Sequence, residues 1–276
     1  MASTKLPPMR FEKWQGAGNH YLVVETAAWP LAITPSRARR VCDPAFGVGG
    51  DGILEIEMTG PRPRMIVWNP DGSQAESCGN GIRMVARYLE GRGMLPVDGV
   101  IETGGGPVTV ATLPDGQVRV RMGKARFPVG ERRERLDVGG VGLEMAEVSM
   151  GNPHAVIEHP EPGDVVRSLG PAIEVAPRFP QRTNVEFVRR EGPSEITMRV
   201  WERGVGETLA CGTGACAAAV AAVRLGGLTS PVTVHLAGGD LVIDVDHDLD
   251  VTMTGPAEPV FAGELAPDLA RALEAL

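Results

Sequence analysis

The sequence predicts an α+β fold made of two pseudo-symmetric, homologous domains that arose by internal duplication. Two observations predict it. The first is a repeat at a constant offset. Arg64-Met65-Ile66-Val67-Trp68 followed by Cys78-Gly79-Asn80-Gly81 returns as Met198-Arg199-Val200-Trp201 followed by Cys211-Gly212-Thr213-Gly214, and each Cys lies ten residues after its Trp. Cys211 follows Cys78 by 133 positions, and Gly18-Asn19 maps at that offset onto Gly151-Asn152. Packing alone explains a recurring Gly or Trp but not a recurring Cys in a glycine frame.

The second observation is that each half carries the same succession of strand and helix signals. In the first half, period-two alternation predicts strands over Met9–Trp14, Tyr21–Glu25, Arg64–Trp68, Pro107–Thr112 and Gln117–Met122. In the second it predicts Leu143–Ser149, Ala155–Glu158, Asn184–Val188, Thr197–Trp201, Val232–Leu236 and Leu241–Val245. Thr34-Pro35 is an N-cap with proline at N1, opening a helix through about Val41. Glu161–Leu169 holds the matching place. The second helix of each half begins at the Cys: Gly81–Glu90 stops at Gly91, and Gly214–Leu225 stops at Gly226-Gly227. Gly130–Gly142, with its mixed charges, reads as a solvated surface stretch between the halves. Ala266–Leu276 is helical in composition.

Composition narrows the function classes. The 276 residues are 43% hydrophobic and 22% charged, so a folded chain is expected, and the few aromatics leave its core to aliphatic side chains. A net charge of −8 without a basic run is the wrong sign for tracking phosphates, so no nucleic-acid partner is expected. The opening residues lack the apolar core of a secretory signal, and the longest apolar run, Ala215–Val223, is too short to span a membrane. Four cysteines without CxxC spacing suit a reduced compartment. A cytoplasmic enzyme, with no membrane partner, is the expectation.

A Cys at the start of a helix sits where backbone N–H groups lack partners and the helix dipole is positive. That location by itself lowers a thiol pKa, and the adjoining glycines let a carboxylate approach the same N–H groups. Two such motifs face to face would grip one substrate carboxylate and place a thiol on each side of its α-carbon. One thiolate then removes the α-proton while the opposite thiol returns one, inverting the centre. The three lysines, Lys5, Lys13 and Lys124, lack a Schiff-base context, and no His/Cys/carboxylate cluster has metal spacing. No cofactor and no metal are expected.

These residues, with Gly16-Ala17-Gly18-Asn19, Asn69-Pro70-Asp71-Gly72-Ser73, Glu76-Ser77-Cys78, Met150-Gly151-Asn152-Pro153-His154, Arg182-Thr183-Asn184 and Glu202-Arg203-Gly204-Val205-Gly206-Glu207-Thr208, resemble the diaminopimelate epimerase family over nearly the whole chain. The resemblance implies domains of residues 1–117, with a returning segment 256–276, and 118–255. It places the active site in the cleft between them and implies a homodimer. It further implies cofactor-independent interconversion of LL- and meso-diaminopimelate, in lysine and peptidoglycan precursor synthesis. By motif match Cys78 and Cys211 would be the acid/base pair, and Gly79-Asn80 and Gly212-Thr213 would hold the carboxylate. Asn69, Asn152, Asn184, Glu202 and Arg203 would bind the distal amino-acid end, with Asn19 also lining the site, and His154 and Glu202 would tune the thiols. The chain departs from the family pattern at Gln15, His20 and Tyr21, which stand where His, Asp and Phe are common.

Rival readings are kept. A related two-cysteine racemase would act on histidine, proline or hydroxyproline. A non-catalytic amino-acid-binding protein on the same fold would tolerate loss of both Cys. A cysteine hydrolase would use one Cys with His154, leaving the second motif unexplained. A thiol-disulfide protein would need Cys78 and Cys211 to cycle. Cys42 and Cys216 read as packing residues, and Asp51, pseudo-equivalent to Asn184, as structural.

Overall fold

The computed structural model describes residues 7–58, 60–76 and 78–276. Lys5 and Ser77 lie outside the described residues. The chain divides into one unit of Met1–Val118 with Pro256–Leu276 and a second of Arg119–Gly255.

The first unit opens with a hairpin, β1 (Arg10–Gly16) and β2 (Asn19–Glu25), closed by a two-residue turn with Ala17 and Gly18 both at positive φ. The Thr34 side chain caps α1 (Pro35–Cys42) by accepting from Arg37 N at 3.3 Å, with proline at the start as the sequence predicts. The helix carries the chain over to β3 (Ile53–Glu57), which lies parallel to β2. β4 (Arg64–Trp68) returns antiparallel and pairs with the short β5 (Gln74–Ala75). α2 (Gly79–Glu90) then crosses to β6 (Asp98–Thr103), parallel to β4, and β7 (Gly106–Thr112) folds back on it.

From the junction strand β8 (Val118–Lys124), the second unit repeats this plan. β9 (Glu134–Val138) pairs with β10 (Val141–Ser149), which pairs with β11 (Pro153–Glu158). α3 (Pro162–Glu174) leads to β12 (Asn184–Arg190), parallel to β11 as β3 is to β2. β13 (Glu195–Glu202), β14 (Gly206–Thr208), α4 (Gly212–Gly226) and β15 (Val232–Leu236) reproduce β4, β5, α2 and β6, pairing for pairing. β16 (Gly239–Val245) and β17 (Asp250–Gly255) complete the unit. The chain then rejoins the first unit as β18 (Glu258–Glu264) and α5 (Pro267–Glu274). β18 lies antiparallel to β1, the place β9 takes beside β10.

Two expectations need correction. Gly130–Gly142 is not merely a solvated stretch: it contains β9, whose Leu136 is buried while Glu134 and Asp137 bond to arginines at the surface. α3 runs past Leu169 to Glu174, through Pro171. A β-carbon on Gly170 would lie 2.7 Å from the Trp201 side chain, so the missing side chain lets helix and sheet approach.

Apolar faces turned the same way build each core. In the first unit Phe11, Leu22, Val24, Val41, Ile53 and Trp68 cluster with Leu273 of α5. In the second, Met145, Ala155, Ile157, Val166, Ile173 and Phe187 do so under α3. α4 is buried on all sides from Gly214 to Ala222, which its run of small side chains permits. Among the described residues, no helix is long and apolar enough to cross a membrane.

Candidate active site

Both repeated cysteines are N-caps in extended conformation, Cys78 before α2 (φ −145°, ψ 111°) and Cys211 before α4 (φ −125°, ψ 112°). Each follows a very short strand, so the chain turns sharply from sheet to helix and leaves the thiol over the first helical turn. The second glycine of each motif is a spacing requirement. A β-carbon on Gly81 would lie 3.3 Å from Cys78 Sγ and 2.8 Å from Leu54 Cδ2. One on Gly214 would lie 3.3 Å from Cys211 Sγ and 2.7 Å from Glu186 Oε1.

Around Cys78 the sulfur accepts from Gly81 N at 3.2 Å and lies 3.4 Å from the Tyr21 hydroxyl on β2. Asn80 Nδ2 donates to Asn19 Oδ1, and Asn19 Nδ2 donates to Asp51 Oδ2 at 3.2 Å. Asp51 also accepts from His20 N at 2.9 Å and so holds the Asn19 corner. Buried Arg83 clamps the chain by donating to Gly79 O (3.2 Å) and Pro256 O (3.1 Å). Asn69 sits in the turn after β4, bonded to Ser73 Oγ at 2.9 Å.

Cys211 is buried beside two carboxylates, Glu202 and Glu186. Its sulfur lies 3.6 Å from Thr213 Oγ1, to which Asn152 Nδ2 donates at 3.3 Å. Asn152 Oδ1 in turn takes the Nε2–H of His154 at 3.0 Å, and His154 Nδ1 lies 2.7 Å from Glu186 Oε1. Both His154 and Glu186 are fully buried, and Glu186 Oε2 is a buried oxygen without a hydrogen-bond partner among the described residues. Glu202 accepts from Thr208 Oγ1, and burial raises its carboxyl above the usual range, with the Glu186 charge adding to the rise.

Helix position alone predicts a lowered thiol pKa, and at Cys211 the structure reverses that expectation. Burial, then the charges of Glu202 and Glu186, push this thiol well above its ordinary value; Thr213 and the Gly214 N–H only partly oppose them. These surroundings favour the thiol form of Cys211. Cys42 is likewise pushed up to about 12 by burial in the core of the first unit, and Cys216 is buried within α4. Neither lies at a helix N-terminus.

The remaining predicted residues are anchored by a carboxylate that sequence reasoning passed over. Glu174, at the end of α3, accepts from Trp201 Nε1 and Gly204 N, each at 2.8 Å, and so fixes the turn carrying Glu202 and Arg203. Asn184 donates to Pro153 O and accepts from Arg203 N, both at 3.0 Å, tying that turn to His154. The Arg203 guanidinium is exposed and reaches Gln181 O at 3.4 Å. Cys211, Asn152, His154, Asn184, Glu202, Arg203, Gly212 and Thr213 thus gather in the second unit; Cys78, Asn19, Gly79 and Asn80 gather in the first, with Asn69 in a nearby stretch of its sequence. Glu186 and Glu174 were missed, although a Glu between Val185 and Phe187 in a strand with no other charge before Arg189 was a visible signal.

A family model for diaminopimelate epimerase matches residues 11–128 and 146–260. The chain is 44% identical to a diaminopimelate epimerase of Alkalilimnicola ehrlichii, over 94% of this chain and 99% of that protein. It is 45% identical to one of Pelotomaculum thermopropionicum, over 93% and 98%. Among solved structures it resembles a hydroxyproline epimerase from Agrobacterium vitis, with bound trans-4-OH-L-proline (TM-score 0.68, 16% identity, 94% of this chain and 93% of that one). It also resembles a phenazine biosynthesis protein of the PhzF family from Enterococcus faecalis (TM-score 0.69, 14% identity, 94% and 99%). At those identities the two structures speak for a shared α+β fold alone.

Proposed function

The chain belongs to the diaminopimelate epimerase family, and from that premise we propose that Cys78 and Cys211 are the two acid/base groups of its reaction. It is an isomerase, interconverting LL-2,6-diaminopimelate and meso-diaminopimelate. The observation that carries the proposal is the pair of cysteine N-caps, each in a glycine frame over a helix N-terminus. The account requires both thiols to address one α-carbon from opposite faces.

In one direction a Cys78 thiolate removes the α-proton, and negative charge spreads into the adjoining carboxylate. The N–H groups of Gly79-Asn80 and Gly212-Thr213 meet that charge, as fixed donors that need no reorganisation. Cys211, whose surroundings favour the thiol, delivers a proton to the other face. The reverse direction exchanges the roles. His154, fixed through Asn152 and Glu186, and Glu202 set the field in which Cys211 gives up and regains its proton. The distal amino-acid end falls to Asn69, Asn152, Asn184, Glu202 and Arg203, with Asn19 also lining the site: the guanidinium suits a carboxylate and the carboxylate an ammonium.

Reduced protein given LL-diaminopimelate is expected to produce the meso isomer, and to leave proline, hydroxyproline and histidine unchanged. A site built to pair two polar ends leaves buried groups unmatched when one end is missing. Faster turnover of hydroxyproline than of diaminopimelate would replace this substrate with that of the related racemases.

The assembly we propose is a homodimer through β18. Six of its seven residues are exposed, including Val260 (53%) and Phe261 (47%), and its backbone pairs with β1. An apolar strand left this open is a surface for a second copy. Sedimentation equilibrium is expected to give twice the monomer mass, and Phe261→Asp to shift it to the monomer. A wild-type protein that sediments as a monomer would remove the proposal. The compartment we propose is the cytoplasm, where both thiols stay reduced.

A further inference from the structure

The Tyr21 hydroxyl stands 3.4 Å from Cys78 Sγ. Tyr21 is 8% exposed and held in the β1–β2 register opposite Trp14. Gly52 presses its ring from the side: a β-carbon there would lie 2.8 Å from Tyr21 Cε1. The hydroxyl is thus delivered to the sulfur by strand geometry. At the 133-residue offset the second unit has His154, joined through Asn152 to Thr213, two residues past Cys211. One strand position therefore brings a polar, proton-bearing side chain toward the thiol end in each unit, by different chemistry.

We propose that Tyr21 is a positioning residue for Cys78, its O–H turning to donate to the sulfur when Cys78 is a thiolate and to accept from it when Cys78 is a thiol. A hydroxyl serves both protonation states because it can donate and accept, which a phenylalanine ring cannot. Together with the Gly81 N–H, it gives the thiolate two donors fixed by separate elements, β2 and α2. A hydrogen bond to the charged form of an acid favours that form. Among the titratable and charged side chains of the described residues, Arg83 on α2 bonds to Gly79 O, Asp51 and His20 are linked through Asn19 to Asn80, and Glu76 lies two residues upstream in sequence. None of them is altered by changing Tyr21 to Phe. The inference rests on the reading of Cys78 as an acid/base group.

The test is the pH dependence of iodoacetamide alkylation of Cys78 in reduced protein, resolved by peptide mass mapping, in wild type and Tyr21→Phe. The ring is retained, so the fold should be kept, and an unchanged Tm serves as the control. The Cys78 midpoint is expected to rise by about one pH unit, with Tm unmoved. The acid limb of kcat/KM should rise with it, while KM stays within about twofold, since an effect on the thiolate alone leaves substrate binding intact. Superimposable Cys78 profiles would overturn the inference, whatever the turnover. Undiminished turnover in Cys78→Ala would overturn the two-base reading itself, and the inference with it.

Discussion

Cys78→Ala and Cys211→Ala are each expected to lose about 10²–10⁴-fold in kcat, or about 3–5 kcal/mol of transition-state stabilisation. Neither thiol substitutes for the other, because each serves one face of the α-carbon. Loss should be as complete in the reverse direction as in the forward one, since an epimerase that takes a proton with one thiol must return it with the other. Both variants should fold, because Ala removes a single sulfur at a capping position and the helix keeps its Ile82 N to Cys78 O and Ala215 N to Cys211 O bonds of 2.9 Å. A binding protein would keep its ligand affinity and lose nothing. A single-cysteine hydrolase would lose activity in one variant only.

The second large effect is on stability. Gly52 has φ +152°, and a β-carbon there would lie 2.3 Å from Trp68 O and 2.8 Å from the Tyr21 ring. Gly52 O also accepts from Leu22 N at 3.1 Å, so this backbone cannot swing away without breaking the β2 edge. Backbone strain and overpacking together put the cost of Gly52→Ala at about 3–5 kcal/mol, a fall in Tm of about 10 °C for a chain of this size. Because the displaced ring is that of Tyr21, residual folded protein should also show altered Cys78 alkylation. A Tm within a degree or two of wild type would mean that Trp68 and Tyr21 yield more easily than their packing implies.

What the sequence disclosed and what it hid follow from one physical distinction. Features set by local chemistry were legible: the Thr34-Pro35 helix start and the cysteine N-caps depend on neighbours within a few positions, and the 133-residue repeat is read by laying one half of the sequence on the other. β18 was not, because Glu-Pro-Val-Phe-Ala-Gly-Glu contains proline and glycine, which argue against a strand unless it lies at an edge. β9 was hidden by charges that the structure places on its exposed side. The state of Cys211 was read with the wrong sign because its helix is local while its neighbours are not. Glu186 and Glu202 come from β12 and β13, and their charges with burial outweigh the helix end. The same holds for Glu174, whose bonds to Trp201 and Gly204 span about thirty positions of chain.

The central claim is that one thiol removes the α-proton and the other returns one to the opposite face. Proton NMR of LL-diaminopimelate with reduced protein in D2O, followed from the first turnovers, tests it most directly. Each thiol carries one exchangeable hydrogen, so the incoming atom comes from solvent through one Cys and the departing one leaves through the other. The account predicts deuterium at the inverted carbon of the meso product while unreacted LL substrate keeps its α-proton, with neither change in Cys78→Ala or Cys211→Ala. Inversion with the original proton retained, or deuterium entering recovered substrate as fast as product forms, would point to a single base and contradict it.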